Sequence, residues 1–450
     1  MKLRKIIVQT FVACAIIFNA NSGVIHAQNA VSLGECLKIA LKNNYSLQIV
    51  RNENEIASNN YTRGNAGLLP SVDASAKYSG AIANSSSTDF SDNTAKTNGQ
   101  LSNAASAGLN ASWDIFSGHK AQNKYAQLRE LKEISDLNTR FEIENLIANV
   151  TAEYYYLVQQ KRHRDNLEFI LLISKERVRI ARINRELGSR SKLELLQAQV
   201  DFNSDSSALV RQQQQILASE IRLKSLMGDI KHPHILPDSA INLLPELIYS
   251  SLLEKTLAEN TQLQIAAKQI NVSEYELKII RANSFPYLRL TSGYNYNLNL
   301  YNKGATKKSY NTGLDYGLTL GIPVFDGGNR RREIKNAKIA LKNKELSQLE
   351  AQLDIEAKLQ EIYSSYSNYL GLISMERQNL KTAHENYETA AIRYRLGELA
   401  GIDMREAQNS LQDAEKRLLD VEYNAKIDEI SLMTLSGNVL EYLSELKTRN

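Results

Sequence analysis

The chain is poor in the residues that most single domains lean on. It has one tryptophan, two cysteines and six prolines in 450 residues, and its six histidines are scattered. Cys14 falls in the N-terminal apolar run, so Cys36 has no partner elsewhere and no internal disulfide is possible. Cys36 reads as a small apolar residue on a helix face. No charge of one sign dominates: Lys+Arg is 54 against Asp+Glu at 50, which implies no polyanion-binding surface and no nucleic-acid partner. The scattered histidines leave no clustered catalytic constellation and no metal site. His232-Pro-His234 has ligand-like residues, but it lies in a Pro-rich link and reads as a surface loop. Asp326-Gly-Gly-Asn329 lacks the lysine and the spacing of a phosphate loop and reads as a strand-to-helix corner. The expectation is a protein that is not an enzyme and needs no cofactor.

Long hydrophobic runs are also missing, with one exception at the start. Lys2, Arg4 and Lys5 precede the apolar run Ile6–Phe18, and a small residue, Ala27, follows, which reads as an export signal over 1–27. Phe11-Val-Ala-Cys14 offers a second processing pattern, a lipidated Cys14, against which the apolar run continues to Phe18. Beyond this segment no run of about 18 apolar residues occurs, so no transmembrane helix is expected.

What is present is helix, in quantity. No proline lies between Pro70 and Pro233 or after Pro323, and those stretches carry apolar residues at three-to-four spacing. The halves repeat. Phe116-Ser-Gly118 matches Phe325-Asp-Gly327, Leu187-Gly188 matches Leu396-Gly397, and Gly228 matches Gly437, all 209 residues apart. Ala198-Gln199 and Ala407-Gln408 keep the same offset, while Leu69-Pro70 and Asn44 match Phe285-Pro286 and Asn260 at 216. The difference falls in the Ser/Asn/Thr-rich stretch Asn84–Asn103, which is predicted to be a loop. Each half thus reads as helix, strand, polar loop, strand, long helix, turn, helix. The predicted segments are a signal at 1–27, a first repeat at 28–230, a linker at 231–250, a second repeat at 251–437 and a tail at 438–450. The first repeat holds strands at about 71–80 and 106–116 and helices at 118–187 and 190–228. The second holds strands at about 287–298 and 311–323 and helices at 328–396 and 402–436.

The strands alternate strictly. Leu314, Tyr316, Leu318, Leu320 and Ile322 interleave with Gly313, Asp315, Gly317, Thr319 and Gly321, one greasy face and one small or polar face. Leu109, Trp113, Leu290 and Tyr294 fall on the same kind of face, which assigns Leu109, Trp113, Leu290, Tyr294, Tyr316, Leu318 and Leu320 to lipid. Tyr78 and Tyr296 join Trp113, Tyr294 and Tyr316 as candidates for an interfacial aromatic belt. Strands of roughly ten residues suit a tilted bilayer crossing, but strand edges in lipid must close, and known barrels need about eight strands. Four strands cannot close alone, whereas three chains supply twelve. The expected fold class is therefore mainly α with a β-barrel contribution: two repeats of long coiled helices and four transmembrane strands per chain.

This layout resembles the TolC-like outer-membrane efflux family over nearly the whole mature chain. The resemblance is carried by Ser32-Leu-Gly-Glu-Cys-Leu-Lys-Ile-Ala-Leu-Lys-Asn-Asn44 with Leu68-Leu-Pro70, and by its copy, Leu253-Glu-Lys-Thr-Leu-Ala-Glu-Asn260 with Ser284-Phe-Pro286. Arg395-Leu-Gly-Glu-Leu-Ala-Gly-Ile-Asp403 with Glu406-Ala-Gln408, and Arg185-Glu-Leu-Gly-Ser-Arg-Ser-Lys-Leu-Glu194 with Ala198-Gln199, carry it at the far end. The resemblance implies a homotrimer with a 12-stranded barrel in the outer membrane and an α-helical periplasmic tunnel. It also implies docking of a periplasmic adaptor (a membrane fusion protein) and, beyond it, an inner-membrane RND or ABC transporter. It implies docking at Leu187, Gly188, Ser189, Leu396, Gly397 and Glu398, and a periplasmic gate at Tyr394, Asp403, Glu406 and Glu194. Asp403 and Glu406 share a helix face, and threefold symmetry would make them a cation-favouring ring. One departure is visible. Family members often carry a basic lock residue two positions after the second tip glycine, where this chain has Leu399, with Arg395 or Arg405 as substitutes.

The expected function is a passive exit duct of a tripartite efflux or type I secretion system, for small molecules or exported polypeptide. The alternative is a periplasmic coiled-coil adaptor without a channel. That alternative needs a compact lipoyl-like β region, which the sequence does not show.

Overall fold

The computed structural model describes residues 32–439 other than 238, 239, 246 and 305, so the expected signal, Cys14 and most of the tail lie outside the described residues. The first round of elements is α1 (Leu33–Asn43), α2 (Tyr45–Asn60), β1 (Ser71–Thr88), β2 (Thr94–Ser117), α3 (Lys120–Glu186) and α4 (Lys192–Leu226). The second is α5 (Tyr249–Glu259), α6 (Thr261–Ala282), β3 (Tyr287–Tyr301), β4 (Lys308–Gly321), α7 (Asn329–Arg395) and α8 (Gly401–Leu435).

Two expectations need correction. The opening helix of each half is broken in two, at Asn44 and at Asn260. Both asparagines take an extended backbone (ψ 126° and 120°), and each Oδ1 accepts from the next helix, from Leu47 N at 3.0 Å and from Gln262 N at 3.0 Å. Such caps contribute about 1 kcal/mol each. The other end of each amide ties the start of its half to the end of the same half: Asn44 Nδ2 donates to Leu226 O and Asn260 Nδ2 to Leu435 O, both at 2.9 Å. At those helix ends Gly228 (φ +68°) and Gly437 (φ +71°) turn left-handed, and a Cβ would meet Asn43 O at 2.6 Å and Glu259 O at 2.8 Å. The matched asparagines and glycines of the sequence are thus the two sides of one joint, made twice.

The second correction concerns the Ser/Asn/Thr stretch. Asn84–Asn103 is mostly strand: β1 pairs onward through Ser85↔Thr97 to Thr88↔Thr94, past one irregularity between Ala83 and Ser85, and a tight turn closes the hairpin. The strands are therefore longer than the ten or so residues expected, at 18, 24, 15 and 14. Polar side chains do not stop an antiparallel ladder, because its bonds are made by the backbone. The sheet order is β1-β2-β3-β4, and among the described residues β1 and β4 each pair on one side only.

α3 and α7 are each 67 residues long, about 100 Å of continuous helix, and carry the chain from the sheet to a far end with two turns. Both start at a left-handed corner, Gly118-His119 and Gly327-Gly328. The main core lies midway along the body. There α3 residues Ile147, Val150, Tyr154 and Leu157 pack with Leu37, Leu47, Leu223, Tyr366 and Leu432. Cys36 belongs to it, and burial pushes its thiol up to about 12. The linker straps onto this belt: Lys161 Nζ donates to Ile235 O (2.6 Å), Lys426 Nζ to Asn242 O (2.5 Å) and Leu244 N to Glu429 (2.7 Å).

Candidate functional site

The far end of the body is built from two turns of the same design. At the first, Gly188 N donates to Arg185 O and Ser189 N to Asn184 O; at the second, Gly397 N donates to Tyr394 O and Glu398 N to Arg393 O. These crossed bonds are the left-handed C-cap that glycine permits, with φ +73° and +79°. Among the described residues nothing lies within 4 Å of a Cβ at either glycine. Leu187 and Leu396 stand 75% and 68% exposed, so each tip presents a bare leucine beside a bare glycine.

The tips are tied to one another. Tyr394, 2% exposed, donates from its hydroxyl to Glu194 Oε1 at 3.3 Å. Burial and the Glu194 carboxylate push the Tyr394 phenol up to about 12, so it stays a neutral donor at physiological pH. Arg190 pairs with Glu194 at 3.0 Å, and its other nitrogen reaches the second tip, donating to Gly397 O (3.2 Å) and Leu399 O (2.7 Å). Its guanidinium also stands 5.5 Å from the Tyr394 ring centroid. Leu399 itself packs against the small apolar cluster of Ile170, Ile173, Ala390, Tyr394, Met404 and Ala407.

A second polar layer lies deeper in the body. Arg405 forks onto Asp205 with bonds of 2.7 and 2.8 Å. Asp205 also accepts from Ser174, and Gln408 Nε2 donates to Ser174 Oγ at 2.7 Å. Arg177, 3% exposed, pairs with Asp201 and lies 3.4 Å from Gln408 Oε1. These buried polar groups join α3, α4 and α8. Sequence reasoning missed this layer: Gln408 stands in a matched motif, but nothing in the sequence marks its neighbours.

Of the four gate candidates, the structure brings Tyr394 and Glu194 together. Asp403 and Glu406 are exposed on the first turns of α8, apart from that network. The suggested substitute bases are elsewhere: Arg405 is committed to Asp205, and Arg395 is exposed.

At the opposite end the sheet has two unlike faces. Val72, Ala111, Ser292 and Tyr316 stand in one row across the four strands, and Ala74, Leu109, Tyr294 and Leu314 in another on the same side. Trp113, Leu290 and Leu318 form a third, and Leu320 faces Leu288. All seven residues assigned to lipid therefore share one face. The other face carries Asp73, Asn110, Gly293 and Asp315 in one row and Ser75, Gly108, Asn295 and Gly313 in the next. Its glycines make room: a Cβ at Gly108 would fall 2.0 Å from Asn295 Oδ1, and one at Gly293 would fall 2.6 Å from Asn110 Oδ1. Arg289 pairs with Asp114 on this side at 2.6 Å.

The comparisons agree on one family. The profile of the family described as Outer membrane efflux protein matches residues 36–229 and 252–438. The outer membrane protein TolC of Vibrio cholerae serotype O1 is 22% identical over 432 residues, covering 92% of each chain. The cation efflux system protein CusC of Escherichia coli strain K12 is 24% identical over 352 residues, covering 74% of this chain and 72% of that one. Among solved structures, the Campylobacter jejuni CmeC outer membrane channel superposes with a TM-score of 0.75 at 19% identity, over 92% of this chain and 88% of that one.

Proposed function

Since the chain belongs to the outer membrane efflux protein family, and is thereby an outer-membrane channel subunit working as a homotrimer with a periplasmic adaptor and an inner-membrane transporter rather than an enzyme, we propose how its own residues divide that work. The apolar face of the sheet, with Leu109, Trp113, Leu290, Tyr294, Tyr316, Leu318 and Leu320, meets lipid, and the Asp/Asn/Ser/Gly face lines the water-filled lumen. The tips, Leu187-Gly188-Ser189 and Leu396-Gly397-Glu398, dock the adaptor's helical hairpins, the bare glycines allowing close backbone approach. Tyr394 and Glu194 hold the entrance shut, with Asp403 and Glu406 as its acidic ring. The duct has no energy source of its own and conducts small molecules or exported polypeptide driven by the coupled transporter.

One observation carries this reading: a four-stranded sheet open at both edges and greasy on one face, joined to about 100 Å of helix ending in twin exposed tips. The helical body has open edges too. In its lower half α3 and α8 are flanked by α4 and α7, and the flanking helices expose Val210, Leu217 and Ile221 on α4 and Leu372 and Met375 on α7; nearer the sheet α7 also exposes Leu346 and Leu353. A neighbouring copy on each side covers both strand edges and helix edges at once.

The test is a pair of measurements on protein extracted from outer membranes. Its detergent-corrected mass should be three times that of the mature chain. Cysteines placed singly at Leu187 and Leu396 should cross-link to a co-expressed adaptor, while one at exposed Leu353 should not. A monomer recovered from the periplasm sinks the lipid assignment. Cross-linking absent at both tips sinks the docking assignment.

A further inference from the structure

We propose that Arg190 is the clasp of the gate: from the first tip it holds the second tip of the same subunit closed, in place of the basic residue absent at position 399. This rests on the reading that the tips close the tunnel entrance. The geometry is specific. A guanidinium offers five donors in a rigid fork, and here the fork is divided between the two hairpins. One nitrogen binds Glu194 on its own side; the other donates to Gly397 O and Leu399 O, carbonyls that the second turn leaves without a helical partner. The ring of Tyr394 stacks beneath it at 5.5 Å. Although it sits at a tip, the Arg190 side chain is only 15% exposed. Tyr394, Glu194 and both tip carbonyls therefore meet at one side chain.

The position has a simple origin. Arg190 lies two residues after the first tip glycine, as Leu399 lies two after the second, and the two are 209 apart, the repeat offset. The same place in the duplicated plan carries the charge in one repeat and an apolar side chain in the other. Leu399 packs into the cluster around Tyr394 while its carbonyl receives Arg190. Separating the α7–α8 hairpin from the α3–α4 hairpin must break the bonds from Arg190 to Gly397 and Leu399. The Tyr394–Glu194 bond breaks with them, so release is concerted.

The experiment uses the full-length protein in planar lipid bilayers, reading single-channel conductance, with detergent-corrected mass and melting temperature as controls. Arg190→Ala should raise conductance several-fold with mass and melting temperature unchanged. Arg190→Lys, a point charge without the fork, should fall between. Adding Leu399→Arg to Arg190→Ala should return conductance toward the parent value, which a merely structural role for Arg190 would not predict. If Glu194→Gln with Tyr394→Phe opens the channel but Arg190→Ala does not, the clasp is wrong and the gate reading stands. If neither opens it, the gate reading fails and takes the clasp with it. If Arg190→Ala opens the channel only by lowering the assembled mass, Arg190 is an assembly residue and the proposal is overturned.

Discussion

α3 and α7 occupy matching places in the two repeats and have the same length, 67 residues, yet α3 buries twenty of its residues and α7 seven. Five of the seven stand 209 residues from a buried residue of α3: Ala337, Ile355, Leu359, Tyr366 and Ala390 answer Leu128, Leu146, Val150, Leu157 and Ala181. The shared stripe is the inherited one. What α3 adds is a second face, with Ile147, Thr151, Tyr154, Val158, Gln159 and Ser174. The counterparts on α7 are Glu356, Gln360, Tyr363, Ser367, Asn368 and Ala383, and none of them is buried. That second face exists because α3 lies between α4 and α8, whereas α7 lies at the edge of the body. Duplication thus made two equal helices, and the different neighbours of each made one inner and one outer.

This contrast can be tested from its strongest point to its weakest. Asp205→Ala, which leaves Arg405 and Ser174 facing an empty site between α4 and α8, should cost about 3 kcal/mol in chemical unfolding. Ile147→Ala on the second face of the inner helix should cost about 2–5 kcal/mol. Leu353→Ala on the outer helix should leave a subunit's own stability within about 0.5 kcal/mol, and should instead loosen assembly in the detergent-corrected mass. Equal costs at Ile147 and Leu353 would break the inner–outer distinction. The glycine joints give effects between those of the core and the exposed leucine. Gly228→Ala meets the Asn43 carbonyl and should cost about 2 kcal/mol, whereas Gly397→Ala, with open space around it, should cost about 1 kcal/mol from left-handed strain alone.

The smallest effect depends on pH. His163 on α3 faces Lys416 and Asp420 of α8, and burial, with Lys416, holds its pKa below the usual histidine value. Its neutral form is favoured in the folded state, so its contribution is present above about pH 6.5 and is lost as pH falls through the depressed value. His163→Gln should therefore melt higher relative to the parent as pH drops below about 6.5, with the difference flat above it. A difference that grows with rising pH would contradict the assignment.

Much of this was legible in the sequence because it is local. The period of two marked the strands, and the register places all seven lipid-assigned residues on one face. Glycine at 188 and 397 marked the tip turns, and the matched glycines at 228 and 437 the helix ends, since few other residues take those backbone angles; the helix breaks at Asn44 and Asn260 were not legible, because a capping asparagine inside a helical pattern looks like any other polar residue. The length of the first hairpin was not legible, because Ser, Thr and Asn signal a loop by propensity, while the ladder there depends on backbone pairing.

The sequence by itself determined the duplicated plan, through motifs that recur 209 residues on, and the long helices, the two-faced strands and the turns that end them, because each of these elements depends on residues a few positions apart. Only the tertiary structure decided which twin helix is inner, that Asp205 receives Arg405 from 200 residues away, and that Arg190 rather than a residue near 399 binds the second tip. Periodicity reports that a face is apolar or charged; which neighbour covers it is set by packing between segments far apart in the chain.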